Sequence, residues 1–521
     1  MISRRTVVQQ RRRQVACRRL LSGIGIALGL GLVSLSEARA STYRVYTNSA
    51  ASSMTLNAGD GFCSLAEAVK HVTGSPNYGC TDFAPGSGEA RIELLESAGK
   101  PFSTNHFKIT SLTLANQSTQ IHIFGSGGFI DSTATASAFV IPLHSNVFFE
   151  RVTLTNVAGT AGGRLVENYG QLALYGVTIT KGNVTGNQHP TGRGGGIFNG
   201  ITQGSPAVIT SAENSLITGN SAKKGGGIYN DSGIINELAV TISNNTATLA
   251  GGGIYNISTT PLGSGWTNGR IVTPLLTVQN NSAPAGGGIF NRGLIEALEG
   301  SSITGNFTTT TGGSGETCTG SPSCDGLGGG VLSVHISKNP NAVPPIPSGS
   351  DTRFMLTGST ISNNKATSRG GAVYSVGVLE MGGDTISGNT AQNGAALYVT
   401  APTDGVQQYC HVYGDQDDGD AMIMSNAASA GSSIVAGGPG GVADFRACSF
   451  DYGIPTPGHP VYLMATGNSG ASFCTAAAVD SASRCPQPCG GANQACCFSA
   501  PNCSGTLQCA PDPGGGSAFC H

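Results

Sequence analysis

The sequence predicts an all-β solenoid of stacked parallel strands, and three observations carry that expectation. A six-residue string returns four times, as GGGIFN at 194–199 and 286–291 and as GGGIYN at 225–230 and 251–256. Around each copy lie short β-prone pieces separated by glycine and asparagine, with no helical period. Composition agrees: 79 of 521 residues are glycine and only 11% are charged, which suits a chain of many tight corners.

Residues 1–40 read as an export signal. Arginines at 4, 5, 11, 12, 13, 18 and 19 form a basic start, LLSGIGIALGLGLVSL follows at 20–35, and Ala38-Arg39-Ala40 supplies a small-x-small cleavage pattern. The apolar run is shorter than the roughly 20 residues of a spanning helix. No later segment resembles a span, so the mature chain is expected to start near Ser41, exported and not membrane-spanning. The arginine pair at 4–5 leaves twin-arginine export open beside the ordinary route. Beyond residue 40 there remain 19 basic and 28 acidic residues, a balance of about −9. That acidity excludes nucleic acid as a partner.

Fourteen cysteines remain after residue 40: Cys63, Cys80, Cys318, Cys324, Cys410, Cys448, Cys474, Cys485, Cys489, Cys496, Cys497, Cys503, Cys509 and Cys520. An even number in an exported chain fits disulfides. The first six invite local pairing as 63–80, 318–324 and 410–448.

Within 41–130, SLAEAVKHV at 64–72 reads as a short helix with Leu65, Ala68, Val69 and Val72 on one side. It is expected to cover the first coil, with Cys63–Cys80 clipping it in place. QIHIFGSGGFID at 120–131 looks like an early coil. The repeats proper occupy 131–400. Clear copies are SLITGNSAKKGGGIYN at 215–230, AVTISNNTATLAGGGIYN at 239–256 and LTVQNNSAPAGGGIFN at 276–291. The closest glycine triplets are 26 residues apart. No copy buries its own apolar face, so successive copies must stack, about 4.8 Å apart. Stacking lines up Ile197, Ile228, Ile254, Ile289, Val331, Val373 and Leu397 as an inner ladder.

The neighbouring row holds Phe198, Tyr229, Tyr255, Phe290, Tyr374 and Tyr398. Adjacent strand residues face opposite sides, so this row points away from the core. Tyr229, Tyr255, Phe290 and Tyr374 then form either a binding stripe for sugar rings or, the preferred reading, a row packed against itself and under inserted loops. Asparagines at 199, 230, 256 and 291 end the strand. Others at 220, 245, 281, 306, 364 and 389 precede the glycines. Both sets suit turns and bonding between coils.

An asparagine-containing strand-turn followed by GG[AG]I resembles the repeat of the bacterial polymorphic outer-membrane proteins over roughly 165–400. That resemblance implies a right-handed single-stranded parallel β-helix of the pectate-lyase-like kind, at a bacterial outer surface. DGFCSLAEAV at 60–69 resembles the CSLREA motif of exported β-helix proteins, with Ala66 in place of arginine and Val69 in place of isoleucine. The family's C-terminal autotransporter barrel is not expected here, because no set of long alternating segments closes the sequence.

Residues 401–473 lose the clear repeat and read as irregular terminal coils. Residues 474–521 hold eight cysteines among glycine, proline and serine and read as a small disulfide-rich module. Zinc is the weaker alternative for those thiols.

Chemistry is sparse. The one dense acidic run is YGDQDDGD at 413–420, where Asp415, Asp417, Asp418 and Asp420 offer hard oxygens to calcium or form a solvated loop tip. Calcium is thus the one cofactor the sequence leaves open. Glycoside hydrolysis needs two carboxyl groups on one cleft, yet Asp231, Glu237, Glu296 and Glu299 are scattered, and no partner set is readable near Arg193, Arg270, Arg292, Arg353 or Arg369. The expected function is therefore non-catalytic, adhesive or structural, with a surface glycan or protein as ligand. A carbohydrate-active enzyme, either polysaccharide lyase or glycoside hydrolase, is the alternative, and a purely protective shell the third reading.

Overall fold

Most corners among the described residues are held by glycine or asparagine, which tolerate unusual backbone, and the corners come three to a coil. The computed structural model describes residues 41–46, 63–73, 89–95, 106–116 and, with internal gaps, 120–437. It also describes short strands at 449–451, 462–464, 509–510 and 519–520. Three parallel sheets result. Sheet I runs from Ser41–Tyr46 to Ser449–Asp451 with 13 strands, sheet II from His106–Ile109 to Tyr462–Met464 with 12, and sheet III from Leu112–Thr113 to Ile434–Gly437 with 11. The fold is a right-handed parallel β-helix.

One coil shows the path. Ile234–Asn236 lies in sheet I, Val240–Ser243 in sheet II, Thr246–Ala250 in a short fourth ribbon and Ile254–Ile257 in sheet III. Arg270–Pro274 then returns to sheet I one coil further on. The corner before sheet II is held in left-handed backbone at Gly127, Arg151, Gly176, Asn214, Leu275, Gly300, Gly358 and Gly383. After sheet II the equivalent residues include Gly219, Asn244, Asn280 and Asn363, and before sheet III they include Gly225, Gly251 and Gly286. The glycine triplet meets two needs. Its first residue supplies positive φ, as at Gly251 (φ 66°), and its second brings coils too close for a side chain, since a Cβ on Gly252 would lie 2.3 Å from the Gly287 carbonyl oxygen.

The inner ladder forms in the expected register: Ile197, Ile228, Ile254, Ile289, Val331, Val373 and Leu397 pair in sequence and are fully buried. Sheet II adds its own row, including Ile179, Ile217, Ile242, Val278 and Ile303. Each such side chain contributes about 1.5–3 kcal/mol on burial.

Two asparagine ladders tie the coils together. Asn168, Asn199, Asn230, Asn256 and Asn291 pass side-chain hydrogen bonds along the axis at 2.7–2.9 Å, and Asn291 ends the row on Ser333 at 3.1 Å. The second runs Asn220, Asn245, Asn281, Asn306, Asn364, Asn389 and Asn426. In it Asn245 Nδ2 donates to Asn281 Oδ1 (3.0 Å) and to the Ile217 carbonyl (2.9 Å), while its Oδ1 accepts from the backbone N–H and the Nδ2 of Asn220. Both lone pairs and both donors of a fully buried amide are used.

The capping helix spans Leu65–Val72. Ser64 and Glu67 form a reciprocal capping box, and Leu65, Ala68 and Val69 are buried against the first coils. Cys63 is disulfide-bonded, and Cys318 pairs with Cys324 as expected. Cys410 lies on the sheet I strand Tyr409–Tyr413, and Cys509 stands opposite Cys520 in an antiparallel pair. Outside the described residues lie residues 1–40, where an export signal is expected, Cys80, Cys448, Cys474, Cys485, Cys489, Cys496, Cys497 and Cys503, and with them the calcium candidates Asp415, Asp417, Asp418 and Asp420.

Replacing Asn245 by alanine leaves the Ile217 carbonyl and two Asn220 donors without their partners. At about 1–3 kcal/mol for each buried group left unsatisfied, Asn245→Ala is expected to lower stability by several kcal/mol, read as a shift in the urea unfolding midpoint.

Candidate functional site

Sheet III carries the most chemistry on its outward side. The aromatic row points away from the core, as alternation requires, but it is not open: Tyr229, Tyr255, Phe290 and Tyr374 are only 0–2% exposed. The reading of these four as an exposed sugar-binding stripe is therefore corrected. The coil repeat places one ring directly over the next, and near-parallel stacking removes their faces from solvent. Centroids lie 5.7, 4.9 and 4.7 Å apart along Phe198, Tyr229, Tyr255 and Phe290, with interplanar angles of 7° or less. Leu332 interrupts the row before Tyr374 and Tyr398 stack at 5.1 Å. Cations close the margins: Arg193 lies over Tyr229, Lys224 over Tyr255, Arg292 over Phe290 and Arg369 over Tyr398, each 5.1–5.4 Å from the centroid. Cys318, Cys324 and Leu327 join the same buried cluster.

At the N-terminal end of the stack sits a polar constellation that no sequence spacing announces. It comprises Ser137, Arg164, Glu167, Tyr169, Arg193 and Asp231. The strands Ser137–Ile141 and Arg164–Asn168 are neighbours, and Ile228–Asp231 lies two coils on. Glu167 Oε1 accepts from the Tyr169 hydroxyl (2.7 Å) and lies 3.5 Å from Arg164 Nη1, while Oε2 accepts from Ser137 Oγ. Arg193 Nη1 donates to Asp231 Oδ2 at 3.1 Å. Burial, then the hydrogen bond to Glu167, holds the Tyr169 phenol well above its ordinary value, so it serves as a donor rather than a base. Burial lowers the Arg164 guanidinium, opposed chiefly by Glu167. Its plane lies over Phe198 at 5.0 Å, and its Nε finds no partner among the described residues. Asp231 and Arg193 were legible as isolated charges; Arg164, Glu167 and Tyr169 are sequence neighbours on one coil, but their meeting with Ser137, 30 positions before Glu167, was not legible, nor was that of Arg193 with Asp231, 38 positions on.

Several other acidic side chains meet a partner on the adjacent coil. Arg270 meets Glu296 at 2.9 Å, Arg353 lies 4.0 Å from Glu380, His106 meets Asp131 at 2.7 Å and His122 meets Glu150 at 3.0 Å. Among the described residues no group of three or more His, Cys, Asp or Glu side chains is placed to hold a metal ion. No helix among them is long and apolar enough to cross a membrane.

These features define a right-handed parallel β-helix of the pectate-lyase-like solenoid class, built from coils that satisfy one another. Residues 214–231, 239–257 and 358–376 match the Chlamydia polymorphic membrane protein (Chlamydia_PMP) repeat. Each matched stretch runs from the sheet II strand through the glycine corner into sheet III. No curated protein and no solved structure matches the chain.

Because the rings are packing elements, Tyr255→Ala is expected to destabilise the protein by about 3–5 kcal/mol. Tyr255→Phe costs at most about 1.5 kcal/mol, the worth of one hydrogen bond. Thermal unfolding of the two variants separates these outcomes. Burial, then the neighbouring Tyr398, pushes the Tyr374 phenol from 10.0 up to about 12. A raised folded-state value contributes stability that is complete below pH 10 and lost as pH climbs towards 12. Tyr374→Phe should therefore flatten that part of the alkaline unfolding curve.

Proposed function

We propose that the chain is an exported, non-catalytic β-helix with an adhesive or structural role at a cell surface, binding a glycan or protein on the flat outer side of its coils. One observation carries this reading: the polar constellation on sheet III is closed upon itself. Glu167 faces three donors, Asp231 faces Arg193, and the rings beside them are stacked and buried. A hydrolase needs a carboxyl pair open to a cleft, and Glu167 and Asp231 are instead engaged by donors from their own and neighbouring coils. The basic and apolar run at 4–35, the acidic balance beyond it and the similarity to an outer-membrane repeat support export and surface location.

A lyase is the second reading, and Arg164 is the observation in its favour. Burial lowers its guanidinium against the opposing charge of Glu167 beside it, so it gives up its proton more readily than an exposed arginine and is nearer to the neutral form a base requires. The test is incubation of residues 41–521 with neutral and acidic polysaccharides, with and without calcium. Retention on a polymer without new reducing ends or unsaturated uronides is the expected result. Unsaturated products that vanish in Arg164→Ala would replace the adhesive reading by the lyase.

A further inference from the structure

Sheet II presents a face that neither the aromatic stack nor the polar constellation touches. Seven successive strands from Thr178–Thr180 to Thr385–Ser387 each turn two side chains outward, and these carry no charge. All are threonine or serine except Leu216 and Gln279. The rows repeat about every 4.8 Å along the axis and stand about 6–7 Å apart across it.

Two exposed apolar side chains flank this face on adjacent coils. Leu275 stands at the corner before Thr277–Gln279, and Phe307 follows Ser302–Thr304 at the opposite edge. They are 48% and 42% exposed, two of three large apolar residues so exposed among the described residues. Leu275 is anomalous a second time. It holds left-handed backbone (φ 62°) where the equivalent corners of other coils hold glycine, asparagine or arginine, and its Cδ2 leans over Gly300 of the next coil. A leucine in this conformation is disfavoured and is only half covered, so local stability accounts poorly for it.

Resting on the adhesive reading above, we infer that the sheet II face between Leu275 and Phe307 is the docking surface, and that its ligand is an uncharged polysaccharide chain. Charge decides the class. The body carries a negative balance and the seven sheet II strands turn no cation outward; the exposed Lys365 stands beyond them, paired with Phe307 in the ribbon at the edge, so over the strands themselves a polyuronate gains no attraction and meets a repulsive field. A neutral sugar chain meets a match at each point: hydroxyls for the Thr277, Ser302 and Thr304 hydroxyls and the Gln279 amide, and apolar ring faces for Phe307 and Leu275. The rigid spacing of the rows suits a polymer whose own groups recur at a fixed interval.

The experiment is retention of residues 41–521 on insoluble β-glucan, chitin and mannan, beside pectate and alginate gels. The wild type is compared with Leu275→Gly and Phe307→Ser. The expected result is retention on at least one neutral polymer, weakened about tenfold or more in each variant. Leu275→Gly should at the same time raise the unfolding midpoint, because glycine accepts the corner without strain. A merely structural Leu275 would not lose binding while gaining stability. The inference is overturned if no neutral polymer retains the wild type, if only polyuronates do, or if both variants bind as the wild type does. Retention on polyuronates that ignores both substitutions would spare the adhesive reading, whereas release of cleaved product would remove it.

Discussion

Everything in this molecule depends on one constraint, the backbone hydrogen bonding that sets successive coils about 4.8 Å apart. At that distance each side chain meets the equivalent side chain of the next coil before it meets anything else. A residue that cannot satisfy its own counterpart is excluded from the ladder, which is why the sequence repeats. Isoleucine stacks on isoleucine inside, and asparagine passes its amide proton to asparagine at two corners. Where the coils draw closest, even a methyl group is excluded, and glycine at 252 faces the glycine carbonyl at 287.

The same constraint explains why outward-pointing aromatics are not a binding surface. A lone ring on a strand would expose both faces. A ring on every coil has its faces covered by the rings above and below, and the basic residues before the glycine corner cover its edge from one coil away. The stack therefore behaves as a second, outer core beside the aliphatic one. Polar groups follow the same rule. Glu167 and Asp231 stand where coils bring arginine, tyrosine and serine within reach, and the resulting network stabilises the wall rather than leaving a reactive group open.

Function is then sought where the repeat is broken. Leu275 departs from the rule at its corner, and Phe307 places a large apolar group where the paired positions of neighbouring coils hold polar residues, Thr246 and Ser282 before it and Lys365 after it. A solenoid can hold such exceptions because neighbouring coils over-determine its backbone; a strained corner costs one coil a little and leaves the stack intact.

The sequence by itself determined the β-helix, the inner ladder, the asparagine rows, the capping helix and the Cys318–Cys324 pairing. All of these are periodic or local, and periodicity survives translation into one dimension. Only the tertiary structure decided that Tyr229, Tyr255, Phe290 and Tyr374 are buried, since their exposure depends on what the adjacent coils place beside them. It alone brought Ser137 to the local group Arg164, Glu167 and Tyr169, and Arg193 to Asp231, because insertions of unequal length hide which residues of different coils share a rung. And it alone singled out Leu275, whose identity is unremarkable until its backbone conformation is known. Ladders are written in the sequence; the meetings between different ladders are not, because they depend on how far each coil advances before it closes.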